Sequence, residues 1–523
     1  EYQILLASDS STVKDWTDLG ETDGTTTISP AEISNGTLYT VKLRAVNTLP
    51  GGSYRSSDVT VGDVIPGPVG EILRLDATHP EYDDETGAGK EWNDQAGSLD
   101  ADAQGDPTYN SRTKAFEFDG TGDYFDLPDI AVDFSDGLAI HAVVDFGDAE
   151  NYERVLEFTD NDGTTGNIAF GRFSTENSLY LEVYQGSSAS YCYSRNDAIR
   201  EGFHSYSVIL SSEGVCTFQR DGVTLAGNQD SSAFIPDTVV RNNNYVGVAR
   251  GASSQFFEGS IQSVVMYNTD QVTPTCYPIE GTFTGDGTIG EDGVPYKTLQ
   301  FTTVGKCEWS IPTGVISADA VIVAGGGGGG AWTGAGGGAG GVQAHGDVFT
   351  SLSSTSGLAL SGSKYDISVG YGGSGARMSG TSTFTTGSNG GDSSIGSSWI
   401  AYGGGVGGSW PDGGTSTQNP NAGDSTVGSG GGATSGTDVP GSGNSSSFTV
   451  TGGRGFDGGD GGSGQPHSAG GGGGAGGVGA DAPSNSTSGS GGDGVQVNIA
   501  NSNIWLAGGG GGGIHGTGAG GSD

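Results

Sequence analysis

The stretch AFEFDGTGDYFDLP, residues 115–128, decides how this chain is read. Phe116 and Phe118 alternate with Glu117 and Asp119, so one side of the segment is apolar and the other charged. A period of two marks a strand lying on a core. Gly120 and Gly122 follow, where a tight turn needs left-handed backbone that only glycine takes easily. The same grammar extends outward. Val208 and Leu210 share one strand face, and Ile261, Val264 and Met266 suit another. Arg220-Asp221-Gly222-Val223 reads as a hairpin turn between strands. Little helical periodicity interrupts residues 69–272, which predicts a two-sheet antiparallel sandwich there.

On the N-terminal side, residues 1–66 read as short strands. Tyr2 to Leu6 is one. Residues 38–47 form the clearest, with Tyr39, Val41, Leu43 and Ala45 opposite Thr40, Lys42 and Arg44. A turn at 49–53 and a return at 58–61 follow, then a stiff linker, Ile65-Pro66-Gly67-Pro68. On the C-terminal side the chain changes character. Most of its 103 glycines lie beyond residue 280, in tracts near Gly325, Gly403, Gly452, Gly470 and Gly508. Apolar strands at 321–324, 399–402 and 504–507 precede three of them. Such composition can make a flexible linker. The alternative is an ordered bundle of polyglycine-II helices, three residues per turn, packed backbone to backbone. The alternation of tracts with strands favours the bundle. Its Ala, Trp and Val residues are expected at the surface or the seam with the strands, and its loops at one end. The expected domains are 1–66, 67–280 and 281–523.

Charge narrows the partners. The net charge is −41, from 61 acidic and 20 basic residues, so phosphate backbones and anionic lipid are repelled. No apolar run is long enough to cross a membrane as a helix. No signal peptide is visible, the chain starts at Glu1 and stops within a glycine run, and both ends are expected to be cuts through a longer protein. Cys192, Cys216, Cys276 and Cys307 lack zinc-site spacing. Two disulfides and free thiols are both open, with Cys192 and Cys216 lying in segments that could pair.

No catalytic constellation emerges. Glu117-Phe118-Asp119 is the nearest to a strand of paired carboxylates, but position 121 is Thr. The six histidines have no metal-ligand spacing, no serine sits in a G-x-S-x-G elbow, and Gly452–Gly455 lacks the Lys-Ser/Thr of a phosphate loop. The chain is therefore expected not to be an enzyme, and no cofactor is required. Calcium is the one ion with candidate ligands: Asp119 and Asp123 around an Asp-Gly-Thr-Gly-Asp turn, and Asp160 and Asp162 in another loop. The competing reading makes these acids turn formers bonded to their own backbone. Candidate receptor-binding residues lie between glycine tracts: Tyr371, Arg377, Phe384, Trp410, Phe456 and His467. Each could instead pack on the strands of its own module, as is expected of Trp399 and Trp505.

Three resemblances add to this reading. LYTVKLRAVNTLPGGSYRSSDVTV (38–61) resembles the last two strands of a fibronectin type III domain. LRLDATHP (73–80), KEWNDQAGS (90–98), AFEFDGTGDYFDLP, FHSYSVIL (203–210) with VCTFQRDGVTLAG (215–227), and EGSIQSVVMYNTD (258–270) resemble, in order, phrases of the LamG-like, concanavalin A-type jelly roll. LQFTTVGKCEWSIPTGVISADAVIVAGGGGGGAWTGAGGGAGGV (299–342) resembles the glycine-rich modules of phage tail fibres, and the later tracts resemble the polyglycine bundles of tail-fibre tip adhesins. The fold implied is mainly β: a partial fibronectin III-like sandwich, a LamG-like jelly roll, and a glycine-rich β module with a polyglycine-II bundle. The function implied is a virion tail-fibre or tip-adhesin segment. It would bind a host-surface glycan or protein receptor and assemble with other fibre subunits, a homotrimer among the expected assemblies. The alternatives are a bacterial or archaeal extracellular adhesin or sheath protein with surface-layer partners, and the non-catalytic part of a secreted carbohydrate-active enzyme.

Overall fold

In the computed structural model the chain consists of strands, turns and extended glycine tracts, with no helix among the described residues. Those residues are the strands at 2–6, 12–17, 39–43, 46–49, 52–55 and 59–64, and residues 70–514 apart from 79–90, 148–151, 161–165, 230–232, 250–254, 285–294, 313–314, 347–356, 380–382, 410–426, 435–439, 445–450, 464–466, 500–501 and single positions at 98, 187, 196, 272 and 386. The chain divides into two compact units. One holds residues 1–71, 309–316 and 360–365, the other residues 72–308, 317–359 and 366–523.

The smaller unit carries a four-stranded antiparallel sheet in the order Thr12–Thr17, Tyr2–Leu6, Tyr39–Leu43, Val59–Val64. The single strand expected over 38–47 is divided. Tyr39–Leu43 joins this sheet, whereas Val46–Leu49 pairs with Gly52–Arg55 as a separate hairpin.

The larger unit contains the expected jelly roll. One antiparallel sheet has eight strands, with Leu138–Phe146 between Glu258–Tyr267 and His204–Leu210. The other has nine, running from Gly227–Gln229 through Ser188–Ser194, Leu179–Gln185, Ile168–Arg172, Arg154–Thr159, Asn243–Val246, Tyr124–Leu127 and Ala101–Gln104 to Glu91–Trp92. Alternation does the folding. Phe116 faces inward from the first sheet and meets Phe125 of the second edge-on, with ring centroids 4.9 Å apart. Trp92, Phe118, Phe146, Phe257 and Tyr206 extend the same buried layer. Asp221 and Gly222, both with positive φ, form the two-residue loop of the hairpin where Arg220 pairs with Val223. Cys192 and Cys216 are bonded, with Cα atoms 6.3 Å apart, and tie one sheet to the other. Cys276 and Cys307 are also bonded, with Cα atoms 4.9 Å apart, just beyond the last jelly-roll strand.

In the glycine module hydrogen bonds leave each tract sideways. The amides of Ala335, Gly338 and Gly341 donate to the carbonyls of Gly408, Gly405 and Tyr402. Those of Gly336 and Ala339 donate to Gly470 and Gly473. The carbonyls of Gly336 and Ala339 accept from Gly432 and Ser429, and those of Gly334 and Gly337 from Gly513 and Gly510. Every third residue faces the same neighbour and meets it three residues further along. With 324–330, whose Gly327 and Gly330 amides donate to the carbonyls of Gly338 and Ala335, the tract at 334–341 bonds to five others.

The same register fixes direction. Tracts at 324–330, 371–376, 402–408, 428–433, 456–459, 477–482 and 507–513 run one way, and those at 334–341, 388–391, 441–444, 469–474 and 489–492 run the other. The described tracts on either side of 331–333, 377–387, 434–440, 460–468 and 483–488 therefore end and begin at one end of the module. Contacts there include Ala331 N to Ser409 Oγ at 2.9 Å and Ser468 Oγ to Ser484 O at 2.7 Å. The opposite end carries the hairpins of Ala320–Val323 with Val342–His345, Ser393–Ile395 with Trp399–Ala401, and Val495–Ile499 with Ser502–Leu506.

Two expectations are corrected. Ala335, Ala339, Ala433 and Ala469 are buried rather than placed at the bundle surface or seam. A methyl fits an interstice between tracts, whereas a Cβ on Gly327 would run into the carbonyl of Gly405. Trp399 packs against Ile322, Ala324 and Ala401 as expected, but Trp505 is 69% exposed. Its hairpin pairs it with Gln496, on the face opposite Val495 and Val497.

Candidate functional site: an aromatic groove on the nine-stranded sheet

The outer face of the nine-stranded sheet is built by the residues that alternate with its core. In Leu179–Gln185, Leu179, Leu181 and Val183 point inward, which turns Tyr180, Glu182 and Tyr184 outward. In Ser188–Ser194, Cys192 points inward and Tyr191 and Tyr193 outward. Tyr180 is opposite Gly171 on one side and Tyr193 on the other, and Gly171 is opposite Arg154. Glycine at 171 leaves the middle of this row without a side chain. The result is a groove of about 510 Å³ lined by Tyr152, Arg154, Tyr180, Glu182, Tyr191 and Tyr193, with Phe173, Tyr184 and Gln255 completing it. That volume lies within the ~300–1,000 Å³ of small-molecule sites.

Aromatic rings form its upper walls and polar groups its base. Tyr193 stacks on Phe173 at 5.4 Å and 14°, and both remain half-exposed, as do Tyr152, Tyr184 and Tyr191. Below them, Arg154 is committed on every side. Its Nε donates to Glu157 Oε2 at 2.7 Å, its Nη2 lies 3.7 Å from Glu182, its Nη1 donates to the Tyr152 carbonyl, and its guanidinium sits 5.0 Å over the Tyr180 ring. The Tyr180 hydroxyl and Glu157 Oε1 are buried without a hydrogen-bond partner among the described residues. Burial pushes the Tyr180 phenol well above its ordinary pKa, and burial followed by the charge of Glu182 pushes Tyr191 up to about 12. Two non-glycine lining residues, Tyr152 and Gln255, have left-handed backbone with φ of 59° and 57°, as does Ser174 (φ 55°), whose carbonyl accepts from the Tyr152 amide. Such outliers persist where the surrounding structure holds them, and they gather at binding sites. A second cavity, about 160 Å³, lies against His141, Arg74 and the Cys276–Cys307 bridge, and is below the usual size of a ligand site.

The residues singled out from sequence are distributed differently. Asp119 accepts from the Thr121 amide and hydroxyl at 2.7 and 2.9 Å, while Asp123 accepts from the amides of Asp106 and Asp119 at 2.8 and 3.2 Å. Both thus serve the turn. Asp160 lies on another loop, Asp162 lies outside the described residues, and no group of three or more metal-ligating side chains is gathered among the described residues. Tyr371 packs its ring 4.2 Å from that of His204 on the jelly roll, and its pKa is raised by burial. Arg377 and Phe384 sit in the hairpin at the loop-bearing end. His467 is at that end too, half-buried, whereas Phe456 lies under the Arg454 guanidinium at 5.1 Å, near the start of its tract. Trp410 lies outside the described residues. Glu117 bonds to Asn110 on the eight-stranded sheet, away from the groove. Sequence reading missed the groove itself. Its signal was the outward alternation of Tyr180, Glu182 and Tyr184, continued by Tyr191 and Tyr193.

Comparison with known proteins supports two of the expected modules. Residues 119–273 match the family model described as the concanavalin A-like lectin/glucanases superfamily, and residues 302–523 match the one described as a glycine-rich domain. The chain thus contains a LamG-like, concanavalin A-like domain followed by a glycine-rich domain. No curated protein matches it. Among solved structures it is similar to a Trypanosoma rangeli sialidase in complex with sialic acid (14% identity, 40% of this chain and 32% of that one, TM-score 0.27). It is also similar to the CBM40 of a Ruminococcus gnavus sialidase bound to α2,3-sialyllactose (13%, 30% and 90%, 0.24), and to the binding domain of botulinum neurotoxin DC in complex with rat synaptotagmin II (9%, 39% and 49%, 0.28). The chain spans 32% and 48% of the first two structures it matches.

Proposed function

We propose that this chain is a non-catalytic attachment protein whose jelly roll holds a cell-surface saccharide in the tyrosine groove. One observation carries this reading: half-exposed ring faces stand above a buried, unpartnered Tyr180 hydroxyl. Rings take the C–H face of a sugar, and a polar base takes its hydroxyls. Hydrolysis is disfavoured because Glu157 and Glu182 are both engaged with Arg154, leaving neither free as acid or nucleophile. In this reading the glycine module is a polyglycine-II stem, supported by its spacing of three, and its clustered connections form a second contact surface. The strands of residues 1–66 serve as a partial fibronectin III-like spacer. The resemblance of 299–342 supports a virion tail fibre or tip adhesin as the whole. The two disulfides favour a cellular adhesin instead, since such bonds persist in oxidising compartments.

The test is binding of the full chain to an array of cell-surface glycans, repeated with Tyr193→Ala. Loss of one stacking ring should weaken binding by about tenfold at an unchanged melting temperature. Equal binding by the folded variant rules out the groove as the site.

A further inference from the structure

The charges of the groove select among saccharides. Strand register places four carboxylates in a single outward row across the nine-stranded sheet. Asp102 is opposite Asp126, Asp126 opposite Tyr245, Tyr245 opposite Glu157, Glu157 opposite Ala169, and Ala169 opposite Glu182. Asp126 is held above its ordinary pKa by burial and then by Asp102, and Tyr191 at the row's end is raised by burial and then by Glu182. Among the described lining residues one cation serves this row. It is Arg154, side chain 9% exposed, and it is already shared between Glu157 and Glu182 and fixed by the Tyr152 carbonyl. An arginine that clamps an acidic ligand offers two parallel N–H donors to it. Arg154 gives Nε to Glu157 and Nη1 to the Tyr152 carbonyl, and its Nη2 faces the Glu182 carboxylate at 3.7 Å. An incoming carboxylate or sulfate would meet Glu182 in the lining, with the buried Glu157 carboxylate bonded to the same arginine, where low dielectric strengthens like-charge repulsion.

The base of the groove favours the opposite ligand. Tyr180 is 1% exposed, lines the groove, and its hydroxyl has no partner among the described residues. A sugar hydroxyl both donates and accepts, so it can partner the Tyr180 hydroxyl without bringing charge.

We infer that the groove takes saccharides lacking an acidic group and rejects sialylated, uronic or sulfated ones. This rests on the groove being the saccharide site proposed above. The probe is a glycan array in which neutral and acidic members share a core, such as N-acetyllactosamine with and without a terminal sialic acid, read with the full chain. Neutral members should bind at least about tenfold more tightly than their acidic counterparts at low salt. The ratio should shrink in about 0.5 M salt, where charges are screened, and shrink again in Glu182→Gln or, if that variant folds poorly, Glu157→Gln. Equal or preferred binding of acidic glycans overturns the inference and leaves the saccharide site standing. A ratio that ignores both salt and the glutamate variants also overturns it, by removing the groove as the source. Binding to no glycan at all overturns the saccharide site and this inference together.

Discussion

His141 shows how one buried side chain sets a pH limit. The Gln271 carbonyl can only accept, so Nε2 carries the proton and donates across 2.9 Å, while Nδ1 accepts from the Ser207 hydroxyl at 2.8 Å. Neutral imidazole satisfies both partners, and burial pushes its pKa down to about 4. The unfolded chain would protonate near pH ~6.5, so the folded state binds fewer protons between the two values. Stability from this residue is complete above about pH 6.5 and is lost as pH falls toward 4, on the order of 3 kcal/mol. Melting temperature followed from pH 7 to 4 should therefore drop more steeply in the native protein than in His141→Gln. Parallel slopes would place the acid sensitivity elsewhere.

Among elements, the sheets and the tracts are held by different means. Cys192–Cys216 closes a loop across a sequence separation of 24 and joins facing sheets. Its loss, as Cys192→Ala with Cys216→Ala, should lower stability by about 3.5 kcal/mol in denaturant unfolding, the loop-entropy value for that length. An unchanged midpoint would mean the core alone sets the sheet spacing. The tracts depend on the absence of side chains. A Cβ at Gly327 or Gly472 would enter the carbonyls of Gly405 or Gly337, whereas Ser486 is exposed in a connection. Gly327→Val should cost about 1–3 kcal/mol or more and Ser486→Val almost nothing, measured by thermal melts. Equal melts would show that the tracts do not bear on one another. Local elements of this kind were legible in the sequence: the inward Phe116 and Phe118, and the Asp221-Gly222 hairpin loop. The groove was not, although the alternation of Tyr180, Glu182 and Tyr184 was visible. That Gly171 and Arg154 lie beside these tyrosines is decided by strand pairing, and that Gln255 completes the rim by a return of the chain some way downstream. The alanines inside the bundle escaped for a related reason, since whether a methyl fits depends on where a neighbouring tract puts its carbonyls.

At the scale of the whole molecule, charge and modularity govern behaviour. A net charge of −41 strains any compact state by self-repulsion, which salt screens. Raising salt from about 0.01 M to 0.5 M should increase the melting temperature by several degrees; a fall would mean that local ion pairs such as Arg172–Glu153 outweigh the overall charge. The spacing of three within the glycine module has a further consequence. Each residue of a tract keeps its partner only while its position modulo three is preserved. Tract length therefore behaves like a reading frame: adding or removing one glycine at Gly337 turns the later donors of that tract toward the wrong neighbours, while adding three restores the pattern. Connections at the loop-bearing end lie outside this frame. They should tolerate insertions and substitutions, whereas the tracts should tolerate only insertions of three, as thermal melts of the two kinds of variant would show.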